Sequence, residues 1–302
     1  MEKSVLQTLV YFDMFDYPLT SWEVWKFLYR PKKEMRVQEI DQILEDLKQS
    51  SRVSEKNGFW TLVGRDEIVD IRHERYVYAE KKFKRAERAT SFLRMVPGIR
   101  MVAVSNTLAF SHSRPDSDID LFIVTSPGSL WKSRLFGVLP FALFGLRPAP
   151  NKERDKFCFC FFATMCGLDF SSFALKDEDP YLAYWIASLA PLYDPEGIID
   201  ALWESNPMVN EILPNARPVW VSKRRRVDEF WKRKDDFSSP AGFLESAAKA
   251  IQFARFPKSI KTRMNRDLGV VVTDDVLKFH TDHERRAEYR DKFKARLASL
   301  GI

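Results

Sequence analysis

The chain is poor in cysteine and histidine, and this shortage excludes some classes of protein. Its 302 residues include only 3 cysteines and 4 histidines. Three cysteines in a chain of this length do not make the disulfide framework of a small secreted protein, so we expect free thiols and a cytoplasmic location. Cys158 and Cys160 have no nearby histidine pair to complete a tetrahedral set. We therefore expect no zinc site and interpret both cysteines as small buried apolar residues.

A long hydrophobic run is also missing. Leu135–Leu146 is apolar, but it is only about a dozen residues long, whereas a membrane-spanning helix needs about 20. Met1–Ser4 contains no basic region followed by an uninterrupted apolar segment, so it is not expected to be a secretory signal. We therefore expect no membrane partner and predict that Leu135–Leu146 is a buried helix.

Apolar and charged residues are present in the proportions of a folded globular protein. Hydrophobic residues make up 45% of the chain and aromatic residues 14%, which argues against long disorder. The length allows two or three units, since a domain usually has roughly 100–200 residues. The formal charge of +6 favours a polyanionic partner such as a nucleotide or nucleic acid, although ordinary solubility charge gives a similar excess.

Residues 1–64 have the pattern of three helices followed by a hairpin. Apolar residues have helical spacing in Val5–Phe15 and Val37–Leu47, and Thr20 has the pattern of an N-cap for a helix between them. Asn57-Gly58, between two strand-like runs, predicts a tight hairpin turn. This order predicts a winged-helix-like domain.

Such a domain commonly places its third helix in a DNA groove, but it also serves as a packing or protein-contact module. The third predicted helix carries carboxylates that would repel phosphates, so DNA binding by this unit is not favoured. These carboxylates belong to Glu39, Asp41, Glu45 and Asp46.

The remaining chain is predicted to form a connecting helix (65–97), an α/β core (98–174) and a helical C-terminal region (175–302). Asp66–Met95 has a long, charged helical pattern. The predicted fold class is α+β, with a small mixed sheet in the core. Its strands are predicted at Ile99–Val104, Ile119–Thr125 and Phe157–Ala163, and the C-terminal helices at Pro180–Leu189, Gly197–Trp203, Phe243–Phe256 and His283–Leu300.

Asp118 and Asp120 are the sharpest candidates for chemistry. Residues two apart in a strand point to the same face, so the two carboxylates should lie side by side while Ile119 and Leu121 face the core. Phosphoryl and nucleotidyl transfer needs such a pair to hold the divalent ion that neutralises the triphosphate. The pattern therefore predicts a site for Mg²⁺ or Mn²⁺, the alternative being a solvated strand entrance.

The order of a strand ending at Val104, a tight turn of small residues, and the aspartate pair about a dozen residues later resembles the DNA polymerase beta-like nucleotidyltransferase superfamily. The segment Tyr11–Thr20, the core and the helical tail are together similar to a group of bacterial nucleotidyltransferase-domain proteins, and this resemblance covers nearly the whole chain. Leu192–Asp194 and Leu277–His280 also look like that group.

The resemblance implies which residues meet the substrate. Asn106-Thr107 stand at the Gly-Ser position of the family, where helix amide groups after Ser105 hold the triphosphate. Asp118 and Asp120 stand at its metal-binding positions. Arg114 and Lys132 flank the motif and are further candidates for contacts with phosphate oxygens.

Two departures from the family pattern keep a second function open. Asn106 replaces the glycine that lets the backbone approach the nucleotide, although asparagine tolerates positive φ better than most residues. The predicted strand Phe157–Ala163 lacks the third carboxylate of catalytic members, and the candidates near it in sequence are Asp155 just upstream and Asp169 downstream. His112, before the pair, is expected to be solvated.

We therefore expect a Mg²⁺-dependent nucleotidyltransferase that moves a nucleoside monophosphate from a nucleoside triphosphate to a hydroxyl of RNA, protein or a small molecule. The alternative is a catalytically impaired protein of the same fold that acts as a nucleotide- or nucleic-acid-binding regulator. A third acidic side chain close to the pair would favour the enzyme.

Overall fold

The computed structural model describes residues 1–149, 152–228, 241–280 and 285–302, and the chain is a mixed α+β protein. The described helices are α1 (Glu2–Asp13), α2 (Ser21–Lys26), α3 (Val37–Gln49), α4 (Glu67–Leu93), α5 (Asn106–Ala109), α6 (Leu130–Leu143), α7 (Pro180–Ser188), α8 (Ile198–Glu204), α9 (Met208–Ile212), α10 (Ala241–Arg255), α11 (Lys258–Arg263) and α12 (Arg285–Ser299). The strands are β1 (Val53–Lys56), β2 (Phe59–Leu62), β3 (Ile99–Val104), β4 (Ile119–Thr125), β5 (Phe157–Thr164), β6 (Ala190–Tyr193), β7 (Val270–Val272) and β8 (Val276–Phe279).

The first three helices and the hairpin form where the sequence predicts them. Thr20 and Glu23 make the reciprocal capping box at the start of α2, which satisfies two amide groups that the helix leaves unpaired. Asn57 and Gly58 join β1 to β2 with φ of 56° and 80°, as a tight hairpin turn requires.

The main sheet has six strands in the order β6-β3-β4-β5-β8-β7. β4 and β5 are parallel, and the other neighbouring strands pair antiparallel. The predicted bounds of β3 and β4 are confirmed, and β5 is one residue longer than predicted. Because β4 lies between β3 and β5, the aspartates at its start have a neighbouring strand on each side.

The C-terminal half is not wholly helical, which corrects the prediction for residues 175–302. Three of its segments are the strands β6, β7 and β8, and all three belong to the six-stranded sheet. They escape a pattern search because they are only three or four residues long, and pairing with longer strands stabilises such short segments. The predicted helix at His283–Leu300 begins outside the described residues, and its described part is α12.

The sheet is covered on both faces, so alternate residues of β4 enter different hydrophobic clusters. Ile119, Leu121 and Ile123 pack with α4 and α6 on one face, as predicted for the core. Phe122 and Val124 pack on the other face, where α1 and α7 belong to the same cluster. The predicted connecting helix α4 is therefore part of the sheet packing, and each fully buried side chain of this size contributes roughly 1.5–3 kcal/mol of transfer free energy.

Helix α6 is buried on one side only, so the prediction of a buried helix at Leu135–Leu146 is wrong. Val138 and Phe141 are buried, whereas Leu143 and Phe144 are 75% and 79% exposed. Residues 135–146 are almost all apolar, so the sequence does not show which side of the helix is exposed. An amphipathic pattern is visible only when polar residues occupy the exposed side. Among the described residues, no helix is both long enough and apolar enough to cross a membrane.

Candidate metal and anion site

Asp118 and Asp120 lie at the start of β4 and bring their carboxylates together. Together with Cys158 they form a group in which one potential ligand atom from each residue lies within 4.8 Å of the other two. The strand alternation explains the pairing of the carboxylates, since Ile119 between them points to the opposite face. The predicted juxtaposition of the two aspartates is therefore present in the fold.

Asp118 is the less compensated of the two carboxylates, since Asp120 accepts hydrogen bonds from Asn106 and Cys158 and lies near Arg285. Burial and the neighbouring Asp120 raise the pKa of Asp118 to about 7, and burial also raises the pKa of Asp120. Within the described residues, the Asp118 carboxylate has no ion-pair partner and accepts no hydrogen bond from another residue. Two adjacent acidic groups in a partly buried site are stabilised by a bound cation, which supplies the missing positive charge.

Asn106 holds Asp120 in place. Its Nδ2 atom donates a hydrogen bond of 2.7 Å to Asp120 Oδ2, and its backbone has a φ of 56°. Asparagine is among the residues that adopt this left-handed conformation most readily, so it performs the conformational role of glycine while adding a side-chain contact. The preceding amide of Ser105 donates to the Asp120 carbonyl at 3.2 Å.

Cys158 is buried, as interpreted from the sequence, whereas Cys160 is only partly buried, which corrects its interpretation, and both lie on the side of the aspartates. Cys158 pairs in register with Asp120 across the parallel strands, and the register shifts just beyond it. Such bulges re-aim side chains next to functional sites. Cys160 Sγ lies 2.7 Å from Cys158 Sγ, whereas Cys166 is exposed on the turn after β5.

A cavity of about 370 Å³ opens beside the carboxylates. One part of its wall is acidic and thiol-bearing, another is basic, and a third is aromatic. This combination of apolar surface with a few convergent polar groups is typical of small-molecule sites. The acidic and thiol groups belong to Asp118, Asp120, Glu153, Cys158 and Cys160, the basic groups to Arg147, Lys278, His280, Arg285 and Arg286, and the aromatic groups to Phe161, Phe173, Tyr181, Trp185 and Phe279.

Arg147 is the basic residue of the cavity with an unused charge. Its side chain forms no ion pair or hydrogen bond with the part of the chain that the structure describes, and its buried Nε has no acceptor. Its guanidinium carbon Cζ lies 5.9 Å from the centroid of the Phe159 ring. The pKa of Arg134 is lowered to about 10, first by burial and then by Arg147. Arg134 does not line the cavity, so Arg147 is the guanidinium that has free donors for an anion there.

The strand β8 and the helix α12 supply the rest of the basic wall. Burial and the cations Lys278, Arg286 and Arg285 lower the pKa of His280 to about 3, so this histidine is neutral at physiological pH. Arg286 is held by Asp179, with a distance of 2.6 Å from Nη1 to Oδ2. Arg285 lies near enough to Asp120 to oppose the rise in its pKa.

Four residues predicted to bind the nucleotide do not line this cavity. Ser105 is buried at the start of α5. Thr107 is exposed and faces a small aromatic hollow that Tyr17 and Tyr181 also line. Arg114 is exposed on the loop before β4. Lys132 is buried in the first turn of α6, which follows the opposite end of β4, and its amide donates to Glu245. Lys132 is near the aspartate motif in sequence but not in space, because an extended strand such as β4 moves the chain by about 3.3 Å per residue.

Neither acidic residue considered for the third position reaches the pair. Asp155 Oδ1 lies 3.5 Å from the ammonium of the buried Lys82, and Asp169 accepts a hydrogen bond from the amide of Ser171. Glu153 lines the cavity and raises the pKa of Asp118 through its charge. The position beside the pair on β5 is therefore taken by a thiol, that of Cys158.

His112 is buried, which corrects the expectation of a solvated loop residue. Its side chain is 1% exposed, and its Nε2 lies 3.1 Å from the Phe15 carbonyl and 2.8 Å from Arg75 Nη1. It packs between the N-terminal helices and the loop that leads to the aspartates. It does not line the cavity.

Comparison with known proteins gives no family for this chain: no family model, curated protein or solved structure matches it. The function of this chain is therefore inferred from the geometry of the cavity.

The basic wall is the part of the site that sequence reasoning missed. Lys278 and His280 belong to the segment Leu277–His280 that resembles bacterial nucleotidyltransferase-domain proteins, but neither residue was predicted to belong to the site. The alternation Lys278, Phe279, His280 is the available signal, since residues two apart in a strand share a face. Arg147 and Arg285 have no comparable signal, because nothing in their local sequence distinguishes them from solvated arginines.

Proposed function

We propose that the protein is a nucleotidyltransferase that uses Mg²⁺ or Mn²⁺ to move a nucleoside monophosphate from a nucleoside triphosphate to a hydroxyl acceptor, with release of pyrophosphate. The observation that carries this proposal is the partly buried Asp118–Asp120 pair, in which Asp118 has no ion-pair partner among the described residues. It lies on the wall of a cavity that also contains Arg147, whose side chain has no ion pair or hydrogen bond with those residues. The acceptor class stays open among RNA, protein and small molecules.

The distribution of charge fits a metal-bound triphosphate. A divalent ion at the carboxylates would bridge phosphate oxygens, neutralise the charge that develops during transfer and align the acceptor hydroxyl. Arg147, with its fork of unused donors, is suited to the remaining phosphate oxygens. Arg285 lines the same cavity and lies near enough to Asp120 to oppose the rise in its pKa.

The donor set fits such an ion. Carboxylate oxygens are the ligands that Mg²⁺ and Mn²⁺ prefer, and Asp118 offers both of its oxygens, whereas Asp120 has one oxygen engaged by Asn106. That hydrogen bond fixes the orientation of Asp120, as contacts behind a metal ligand commonly do.

The aromatic wall supports a nucleobase or another flat group. Phe161 and Trp185 are stacked with ring centroids 5.2 Å apart and an angle of 20°, and both line the cavity. Base stacking on aromatic side chains tolerates different bases. We therefore propose that this wall holds the nucleoside, with its phosphates directed towards Arg147 and the carboxylates.

A second candidate is a nucleotide-binding regulator that has lost catalysis. It is favoured by Cys158, which stands beside the pair where a catalytic member of the resembled superfamily would have a third carboxylate. Such a protein would bind the metal and nucleotide in the same cavity without releasing pyrophosphate.

We propose that residues 1–64 form a winged-helix-like unit that serves packing. Leu44 and Leu47 of α3 are buried against the rest of the unit, while Asp41, Glu45 and Asp46 are exposed. An exposed row of carboxylates repels a phosphate backbone, so DNA binding by α3 remains disfavoured.

Calorimetric titration with ATP, GTP, CTP and UTP in the presence of Mg²⁺ or Mn²⁺ tests the proposal, with pyrophosphate release measured in parallel. Metal-dependent binding should disappear in the Asp118→Asn/Asp120→Asn variant. The matched control is Asp116→Asn, because Asp116 is exposed and lies outside the cavity wall. Pyrophosphate release by the wild type supports the enzyme, binding without release supports the regulator, and no binding of any nucleotide refutes both.

A further inference from the structure

We propose that a basic face on α4 and the adjacent segment 223–228 binds a single strand of nucleic acid, and that the hydroxyl at the end of this strand is the acceptor. The inference rests on the proposed function and deepens it, since it selects nucleic acid among the acceptor classes left open. The basic face consists of the side chains of Lys81, Lys84, Arg85, Arg88, Lys223, Arg224 and Arg226.

The first row of the basic face lies along α4. Lys81, Lys84 and Arg88 are exposed, and Arg85 is half-buried. Residues three, four and seven apart lie on the same side of a helix, so these four cations form a row about 10 Å long at 1.5 Å per residue. The three exposed cations form no ion pair or hydrogen bond with the residues that the structure describes, and their charges are therefore available to a partner.

The second row is the segment 223–228, which is fixed beside α4. The guanidinium carbon of Arg225 lies 3.8 Å from the centroid of the Phe83 ring, and this arginine also pairs with Glu80. Near the end of α4, Arg94 donates a hydrogen bond to the carbonyl of Asp228. These contacts hold three exposed cations next to the first row, those of Lys223, Arg224 and Arg226.

The positive charge of the chain is concentrated on these two segments. Residues 80–88 and 223–226 contain nine cations and two carboxylates, an excess of seven charges, whereas the whole chain has a formal charge of +6. Of the two carboxylates, Glu80 pairs with Arg224 and Arg225, and Glu87 lies among cations of both rows. Ordinary solubility charge does not require such a concentration, so the distribution favours a polyanionic partner.

The side chains between the cations favour nucleic acid over a membrane surface. A helix that lies in a membrane interface buries an apolar face among the headgroups. Among residues 78–94, all of which the structure describes, no large apolar side chain is exposed. Tyr78, with the ammonium of Lys81 at 5.5 Å from its ring centroid, lies at the end of the first row, and a base can stack on such a ring.

The basic face is connected to the loop that leads to Asp118. Lys82, on the same helix, donates a hydrogen bond of 3.1 Å to Ser117 Oγ. Arg225 donates a hydrogen bond of 3.1 Å to Ser111 Oγ, near the beginning of that loop. A strand on the basic face would therefore lie beside the loop, with its end directed to the carboxylate pair.

The reaction with such an acceptor is the proposed nucleotidyl transfer. The terminal hydroxyl oxygen of the strand forms a bond with the α-phosphorus of the nucleoside triphosphate, and the bond from this phosphorus to the bridging oxygen of the β-phosphate breaks. Pyrophosphate leaves with the bonding electrons, and the hydroxyl proton passes to solvent. The strand is longer by one nucleotide, and no oxidation or reduction takes place.

Fluorescence anisotropy of labelled twelve-nucleotide strands tests the basic face directly. The full chain is titrated into oligouridylate RNA and into oligothymidylate DNA, without divalent cation or nucleoside triphosphate. The logarithm of the association constant should fall with the logarithm of salt concentration, with a slope of about −0.7 for each phosphate contact. Binding of either strand supports the basic face, and the more tightly bound strand identifies the acceptor as RNA or DNA.

Two variants with the same change of charge separate the basic face from a general electrostatic effect. The test variant neutralises three exposed cations of the first row, Lys81→Gln, Lys84→Gln and Arg88→Gln. It should bind at least about tenfold more weakly, with a salt slope that is smaller by about 2. The control neutralises three exposed cations of another basic cluster, also one arginine and two lysines: Arg255→Gln, Lys258→Gln and Lys261→Gln.

The control should bind within about twofold of the wild type, and both variants should keep its melting temperature, because all six side chains are at the surface. Equal losses in the two variants, or a test variant that binds like the wild type, would overturn the inference. Failure of the wild type to bind either strand would also overturn it, and sedimentation with anionic phospholipid vesicles would then assign the face to a membrane. Strand binding needs no nucleotide, so it is measured independently of the proposed function, and nucleotide binding without strand binding would refute the basic face alone.

Discussion

The side-chain amide of Asn106 donates a hydrogen bond of 2.7 Å to Oδ2 of Asp120 while its own backbone is left-handed, with φ of 56°. One residue thus provides both the turn after β3 and the orientation of a carboxylate on β4. In the resembled superfamily glycine provides only the turn. The two roles can be separated by mutation.

Asn106→Gly should keep the turn and lose the orientation of Asp120. Metal binding should weaken by several-fold, because contacts behind a ligand typically contribute tenfold or more to affinity, while the melting temperature should change little. Asn106→Ala should weaken metal binding similarly and should be less stable than Asn106→Gly by about 1–2 kcal/mol, because alanine has a Cβ and lacks the side-chain amide that helps asparagine adopt the left-handed conformation. Thermal denaturation and metal titration of both variants measure the two effects. Equal melting temperatures for the glycine and alanine variants would contradict the assignment of the turn.

Asp118→Asn should stabilise the metal-free protein. The substitution removes one of two adjacent, partly buried carboxylates, and relief of this repulsion should raise the free energy of unfolding by about 1–3 kcal/mol at pH 8. Saturating divalent cation should then stabilise the wild type more than the variant. Denaturant unfolding with and without the cation checks both statements, and Asp116→Asn should change neither value. A metal-free Asp118→Asn protein less stable than the wild type would show that the carboxylate has a structural role.

Arg147→Gln should weaken the binding of inorganic triphosphate in the presence of divalent cation by about tenfold or more, since a charge-assisted bidentate contact contributes roughly 1.5–3 kcal/mol. The control is Arg154→Gln: its side chain is 73% exposed and lies outside the cavity wall. Both variants remove one positive charge from the same connection between α6 and β5, so the long-range electrostatic effect is matched. Equal affinity losses in the two variants would point to the overall charge of the chain instead of a specific contact.

His112 should make the fold sensitive to acid. Burial and the cations Arg75 and Arg72 lower its pKa to about 3, although Asp16 and the Phe15 carbonyl oppose the shift. Its folded-state pKa lies below its unfolded value of about 6.5, so the stabilisation is present above pH 6.5 and is lost as the pH falls towards 3. His112→Gln should be less stable than the wild type at pH 7.5.

At pH 4.5 that deficit should shrink by about 2–3 kcal/mol, because the unfolded wild type gains a proton that the variant cannot bind. Urea unfolding of both proteins at the two pH values measures the change. A deficit that stays constant with pH would mean that His112 takes up its proton in the folded state.

The elements that the sequence predicts best are those whose signal is local. Thr20 with Glu23, the Asn57-Gly58 turn and the bounds of β3 and β4 all depend on neighbouring residues, and the structure confirms them. The aspartate pair is local too, since its carboxylates are two residues apart. These features follow from the geometry of one strand or one helical turn.

The features that escape prediction depend on which segments become neighbours. From the sequence, Cys158 is interpreted as a small apolar residue. In the structure, the parallel pairing of β4 and β5 places it beside Asp120. Lys278 reaches the site only because β8 pairs with β5. The predicted phosphate contact of Lys132 failed for the opposite reason. Lys132 is near the motif in sequence, but it lies beyond the far end of β4 in space. Spacing along the chain carries no information on such pairings.

The position of β8 next to β5 also sets the order in which the site can be assembled during synthesis. The acidic and thiol-bearing wall is complete once Cys160 has been made, but the basic wall needs Lys278 and Arg285, which at about 5–20 residues per second follow roughly 6–25 seconds later. Until then, β5 presents Phe157–Thr164 as an unpaired apolar edge, the kind of surface that attracts other strands. Ribosome-bound chains that end before β8 should therefore depend on chaperones.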